Sequence, residues 1–174
     1  MAIQEFATKL ILCGDGGVGK TSICSHLRTQ RIPRGYELTV GLNIEVHETY
    51  LKGTTVKLVL WDLAGQERFS CVRGDFYYGA RVALIVFDVQ NRGSFFDVKH
   101  WIRELKRHSP KTPFILVGNK VDLVKREVSK EEAEAVARDF SVPYFETSAL
   151  KGENVEELFQ MATHLAVKGT VVAF

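Results

Sequence analysis

Residues 14–21 read GDGGVGKT, set between the apolar run Lys9-Leu10-Ile11-Leu12-Cys13 and the helix-compatible stretch Ser22-Ile23-Cys24-Ser25-His26-Leu27. Strand, glycine-rich turn, helix is the setting in which G-x-x-x-x-G-K-[ST] cradles a phosphate. Glycines at 14, 16, 17 and 19 let the backbone approach a phosphate and aim its N–H groups at it. The helix that follows adds the partial positive charge of its N-terminus. The pattern predicts that Asp15, Gly16, Gly17, Val18 and Gly19 wrap the phosphates, with Ser22 alongside. Lys20 would reach the β- and γ-phosphates, and the Thr21 hydroxyl would take a place on Mg²⁺.

Working outward, strands alternate with helices. Residues 7–13 predict a first strand and 19–28 its helix, while 31–38 (RIPRGYEL) have Pro and Gly without a period and are expected to be loop. Residues 42–51 (LNIEVHETYL) alternate, with Leu42, Ile44 and Val46 on one side and Asn43, Glu45 and His47 on the other. Residues 54–62 (TTVKLVLWD) are rich in β-formers, and Lys52-Gly53 between the two runs predicts an antiparallel hairpin. After a weak helical pattern over 68–78, residues 82–88 (VALIVFD) and 114–118 (FILVG) are continuous apolar runs, as in strands covered on both faces. Phe95, Val98, Ile102 and Leu105 repeat at helical spacing over 94–107. Ser129 with Glu132 is a capping box opening a helix whose apolar face is Ala133, Val136, Ala137 and Phe140. Residues 142–147 predict a short last strand, and Val155, Leu158, Phe159, Ala162 and Leu165 a final amphipathic helix. The class is α/β: a six-stranded, mostly parallel sheet with one antiparallel edge strand and five helices.

At 174 residues, 45% of them hydrophobic and 25% charged, the chain is expected to be one globular domain over 1–174. Its net charge of +2, with basic residues spread rather than clustered, argues against nucleic-acid binding. Cys13, Cys24 and Cys71 lack metal-ligand spacing and are expected to be free thiols in a reducing cytosol. No apolar stretch approaches 18 residues and MAIQEFATK lacks a secretory core. The expected location is therefore cytoplasmic or peripheral on membranes.

In such a sheet, ligands bind beyond the C-terminal ends of the strands. Asp62 ends an apolar run, where a buried carboxylate needs a cation. It reads either as a holder of Mg²⁺ or as the N-cap of the following segment. Gly65 can offer its N–H to a γ-phosphate, and Gln66, with a donor and an acceptor, suits orienting an attacking water. Gln66 also reads as a solvated loop residue. Thr39 is either a hydroxyl for Mg²⁺ with an N–H for the γ-phosphate, or a β-branched residue that starts a strand. Asn119-Lys120-Val121-Asp122 selects the base. The Asp122 carboxylate can accept from guanine N1–H and its 2-amino group, and adenine would leave it unpaired. Sites built this way reject the wrong partner by about 10⁴-fold. The Lys120 stem can lie along the base, and Asn119 can tie its turn back to the phosphate loop.

With GDGGVGKT, Thr39, WDLAGQE (61–67), NKVD (119–122) and Ser148-Ala149-Leu150 in order, the chain resembles the Ras-superfamily small GTPases, and within them looks closest to the Rab family. The Rab likeness rests on KLVLWD (57–62), ERF (67–69), FYYGA (76–80) and the strand ending in Asp88. The resemblance implies the three-layer P-loop NTPase fold and slow GTP hydrolysis to GDP that times a binding switch, with a role in vesicle or membrane trafficking. It implies catalytic roles for Gln66, Lys20, Thr39 and Gly65, and Mg²⁺ held by Thr21, Thr39 and Asp62. It further implies that Tyr36 closes over the nucleotide, and that Ser148, Ala149 and Leu150 border the guanine, Ala149 through its N–H. Switch loops over 32–41 and 62–78 would meet effectors, an exchange factor and a GTPase-activating protein, with the chain itself a monomer.

Some positions depart from that pattern. Ile32 stands where the family usually has a Phe on the guanine edge, so faster nucleotide release is expected. Gly16 leaves room for a partner's arginine. The residues matched to the Rab Phe–Trp–Tyr surface triad are Ile44, Trp61 and Tyr77. The usual C-terminal cysteines are absent before Phe174, so membrane attachment is expected only if a lipidated tail follows. Two other functions compete: an ATP-using small-molecule kinase or ATPase, opposed by NKVD, and a module that binds GTP without turnover, opposed by Gln66 and Thr39.

Overall fold

The computed structural model describes residues 5–29, 39–65 and 70–168, so the loop expected over 31–38 lies outside the described residues. Strands β1 (Glu5–Cys13), β2 (Leu42–Leu51), β3 (Thr54–Leu63), β4 (Val82–Asp88), β5 (Phe114–Asn119) and β6 (Tyr144–Thr147) form one sheet in the order β2-β3-β1-β4-β5-β6. Among the described strands only the β2/β3 pair is antiparallel, joined at the turn Lys52-Gly53 as expected. The helices are α1 (Lys20–Thr29), α2 (Ser70–Phe76), α3 (Arg92–Phe96), α4 (Val98–His108), α5 (Lys130–Asp139) and α6 (Val155–Lys168). All five expected helices are present. The one predicted over 94–107 is in two segments, α3 and α4, because the chain turns at Asp97, which ends the first and begins the second.

Alternation along β1 and β4 sorts side chains into two cores. Leu10, Leu12, Val82, Leu84 and Val86 join Ile23 of α1 and Val155, Leu158, Phe159 and Ala162 of α6 on one face. Ile11, Cys13, Ala83, Ile85 and Phe87 join Val98, Trp101, Ile102 and Leu105 of α4 and Ala133 and Ala137 of α5 on the other. The layers are helix, sheet, helix. Leu84 is wholly buried between them, where truncation to Ala would cost about 2–5 kcal/mol. The capping box of α5 is formed in both directions between Ser129 and Glu132.

The edge strand reverses the usual burial. Its alternation is as expected, but Ile44, Val46 and Tyr50 are 49%, 60% and 76% exposed, whereas Asn43, Glu45 and His47 are half-buried. The polar side of β2 turns toward α1 and α6, where Glu45 lies 3.9 Å from Arg28 of α1. Among the described residues no helix is long and apolar enough to cross a membrane.

Candidate nucleotide site

The ends of β1, β3, β5 and β6 bring the distinctive turns to one rim. Residues 14–19 form the turn between β1 and α1, and α1 begins at Lys20. Lys20 is 6% exposed, and its Nζ donates to the carbonyls of Gly14 at 2.7 Å and Asp15 at 2.8 Å. Burial pushes its ammonium below the ordinary lysine value, opposed chiefly by Asp62. Two of its three donors thus brace the loop, leaving one for a ligand. Ser22 follows Thr21 in the first turn of α1, and Val18 is buried.

Asp62 lies within β3, 1% exposed, so it caps no helix and the N-cap alternative is removed. The Thr21 hydroxyl donates to its Oδ2, and the Thr39 hydroxyl donates to the same oxygen at 3.3 Å. The two threonine oxygens are 2.7 Å apart. Asp62 Oδ1 is buried and has no hydrogen-bond partner among the described residues. Burial pushes the carboxyl upward, against Thr21 and Lys20. Two hydroxyls and a carboxylate with an orphaned oxygen form a hard, all-oxygen donor set, which fits a divalent cation of the Mg²⁺ type. Thr39, equivocal in the sequence, is drawn into this cluster. Gly65 sits against the phosphate loop so closely that a Cβ there would overlap the backbone at Gly14, Asp15 and Gly16. Gln66, Tyr36 and Ile32 lie outside the described residues.

Asn119, 1% exposed at the end of β5, donates its Nδ2 to the carbonyl of Val18 and accepts at Oδ1 from Thr147 Oγ1 (3.0 Å) and the Ala149 N–H (3.2 Å). A guanine oxygen would therefore have to share the Ala149 N–H. Lys120 has a positive φ of 69° and sets its Nζ 2.7 Å from Asp88 Oδ2. Asp122 Oδ1 accepts from Ser148 Oγ at 2.6 Å. Ser148 is wholly buried, while Leu150 is 63% exposed.

The sequence reading missed two residues here. Asp88 ends an apolar strand on the same rim as Asp62, and that position was its signal. Trp101 reads as one more apolar residue on α4, yet its indole N–H donates to Asp15 Oδ1 at 2.7 Å. The only hint was general: a buried Trp N–H needs an acceptor. The surface triad also needs correction. Tyr77 is wholly buried, its hydroxyl donating to Glu104 Oε1 at 3.0 Å. The ring beside Trp61 is Phe76, with centroids 6.0 Å apart, because Phe76 at the end of α2 and Tyr77 in the turn after it point to different sides.

The sequence model of the Ras family matches residues 9–168. The chain is 38% identical to human Ras-related protein Rab-8B over 157 residues, covering 89% of this chain and 76% of that protein. It is 40% identical to Ras-related protein RGP2 of Oryza sativa subsp. japonica over 158 residues, 90% and 73% of the two chains. It is 39% identical to Ras-related protein RABD2c of Arabidopsis thaliana over 166 residues, 94% and 82% of the two.

Proposed function

The chain belongs to the Ras family, and from that premise we propose how its residues carry out a GTPase switch. It binds GTP and GDP and hydrolyses GTP to GDP, alternating between two binding states. The observation that carries the residue assignment is the meeting of Thr21 and Thr39 at Asp62 Oδ2, with Asp62 Oδ1 left unpartnered among the described residues and Lys20 close by. Those three residues would hold Mg²⁺, which supplies positive charge against the β- and γ-phosphates.

Lys20 and the N–H groups of 15–19 bind the phosphates, and α1 points its N-terminal dipole at them. Gly65 and Thr39 offer backbone N–H groups to the γ-phosphate, and Gln66 orients the attacking water. Asp122, held by Ser148, reads guanine, with Asn119, Lys120, Ala149 and Leu150 around the base and Tyr36 over the nucleotide. Loss of the γ-phosphate releases Thr39 and Gly65, and the segments 32–41 and 62–78 change shape. Effectors would meet the exposed side of β2 at Ile44 and Val46, with Trp61 and Phe76 adjoining. An exchange factor and an activating protein would act on the same loops, the latter through an arginine entering at the exposed Gly16. The likeness to Rab relatives favours a role in vesicle or membrane trafficking.

Single-turnover hydrolysis with competing GTP and ATP tests this reading. Guanine-selective binding and turnover on the order of 10⁻⁴–10⁻³ s⁻¹ are expected, falling about tenfold or more in Gln66→Leu with nucleotide affinity kept. Equal affinity for ATP would overturn the guanine assignment, and unchanged turnover in Gln66→Leu would remove that residue from the chemistry.

A further inference from the structure

Asp15 is the only acidic residue in 14–21, and a carboxylate in a phosphate cradle repels the ligand that the cradle serves. Here its Oδ1 is taken by the Trp101 indole N–H at 2.7 Å. Trp101 is 3% exposed on α4, so the bond ties the phosphate loop to the helix layer. Over the Trp101 ring stands the Arg73 guanidinium of α2, 4.5 Å from the centroid. Arg73 is itself buried, and it grips Glu104 of α4 through two N–H donors at 2.9 and 3.0 Å. The Tyr77 hydroxyl donates to the same carboxylate at 3.0 Å. The fork fixes the guanidinium in both direction and plane, and hence the side of the indole that it covers.

We propose that Trp101 is a positioning residue that turns the Asp15 carboxylate away from the phosphates and couples the phosphate loop to α2 across its ring, through Arg73. The coupling rests on the reading of 14–21 as the nucleotide site. It requires the indole N–H as well as the apolar ring, since a phenyl ring could fill the core without holding Asp15. When the segment containing α2 shifts with nucleotide state, Arg73 moves over Trp101 and the Asp15 contact responds. Changes at Asp15 pass the other way.

The test is a double-mutant cycle on GDP release from the intact protein, using Trp101→Phe, Asp15→Ala and both together. Trp101→Phe alone is expected to speed release about tenfold, the worth of a hydrogen bond to a charged group. In the Asp15→Ala background the same change should alter release by less than about twofold, because its partner is gone. A purely structural role leaves the Trp101→Phe effect undiminished in that background and overturns the proposal. A second readout needs no functional variant. With 5-fluorotryptophan incorporated, and the two resonances assigned by Trp61→Phe, the Trp101 ¹⁹F signal should differ between the GDP and GTP-analogue forms. Arg73→Gln should abolish that difference; an identical Trp101 signal in both nucleotide states overturns the coupling. If the unaltered protein fails to retain GDP, the site reading falls and takes the coupling with it. Retained GDP with additive release rates overturns the coupling alone.

Discussion

The Asn119 side chain donates to the carbonyl of Val18 at 2.9 Å, joining two turns that are 101 residues apart in the chain. It lies directly over Gly19, whose φ is +100° and where a Cβ would collide with Asn119 Nδ2. The loop assigned to the phosphates and the turn assigned to the base are thus one rigid piece, held by a buried amide. Its other end accepts from Thr147 and Ala149, which brings the β6 turn into the same unit.

Removing that amide should therefore be felt in both folding and binding. Asn119→Ala leaves the Val18 carbonyl, the Thr147 hydroxyl and the Ala149 N–H without their partner, each a loss of about 1–3 kcal/mol when buried. Because the three share one side chain, the losses do not add in full. Urea unfolding should show about 2–4 kcal/mol less stability, and GDP affinity should fall with it. A variant as stable as the parent would show that the amide link carries no load.

Ser148→Ala should separate base recognition from phosphate binding. Ser148 is buried, donates to Asp122 Oδ1 at 2.6 Å and accepts from the Lys151 N–H at 3.0 Å. Without the hydroxyl, the Asp122 carboxylate is no longer held for guanine. GDP affinity should fall about tenfold, near 1.4 kcal/mol, while the weak binding of ADP stays the same. Equal losses for both nucleotides would instead assign Ser148 to holding the loop.

The sheet was readable from the sequence because both cores obey simple periods. β4 and β5 are unbroken apolar runs and α5 opens on a capping box. The site was readable because each turn carries a residue whose chemistry is costly unless used, Asp62 above all. What escaped were properties of packing. The outward apolar side of β2 depends on which face α1 and α6 cover, and the period alone does not state that. Trp101 and Tyr77 looked interchangeable with other core aromatics, yet their polar ends find Asp15 and Glu104 only once α4 is laid against the loop and α2. The break at Asp97 left no mark in the apolar spacing of 94–107.

Cys13 and Cys24 should be silent toward thiol reagents in the native protein. Both are wholly buried free thiols. Burial pushes Cys13 up to about 12, against a hydrogen bond with Tyr77, and pushes Cys24 well above its ordinary value. The reactive thiolate is therefore scarce at pH 8. Iodoacetamide at that pH followed by peptide mapping should leave residues 13 and 24 unmodified, and alkylate both in urea. Native labelling at Cys13 would mean that the sheet opens locally, and at Cys24 that α1 lifts from it.

The Arg73–Glu104 pair makes an acid-side prediction. Burial pushes the Glu104 carboxyl up, but Arg73 and Tyr77 outweigh it and hold it below the ordinary value of 4.5. A carboxylate depressed on folding contributes stability above its unfolded pKa and loses it as pH falls through the folded one. Glu104→Gln strands a buried guanidinium, so it should lower stability by about 3 kcal/mol at pH 7. That deficit should shrink as pH drops below the ordinary carboxylate range, where the parent protein loses the same charge. Paired urea titrations at pH 7 and pH 3 measure it, and a deficit independent of pH would place the effect in packing rather than in the ion pair.

Gly65 offers the sharpest test of the switch geometry. The residue follows β3, which carries Asp62, and its α-carbon faces the backbone of 14–16 so closely that a methyl group would overlap Gly14, Asp15 and Gly16 at once. Those neighbours are backbone atoms of the phosphate loop, braced by Lys20 from behind, so they cannot yield as a flexible side chain would. The easier response is for Gly65 to withdraw, which under the proposed function takes its N–H away from the γ-phosphate. Gly65→Ala should then retain GDP within a few-fold of the parent and keep its melting temperature, since no core contact is lost. Single-turnover GTP hydrolysis should slow by about 10²-fold, the scale of one missing oxyanion donor. Parental hydrolysis in Gly65→Ala would show that the N–H at 65 is not used. A matching collapse in GDP affinity would show instead that the methyl group displaces the phosphate loop, and would reverse the assignment of which segment moves.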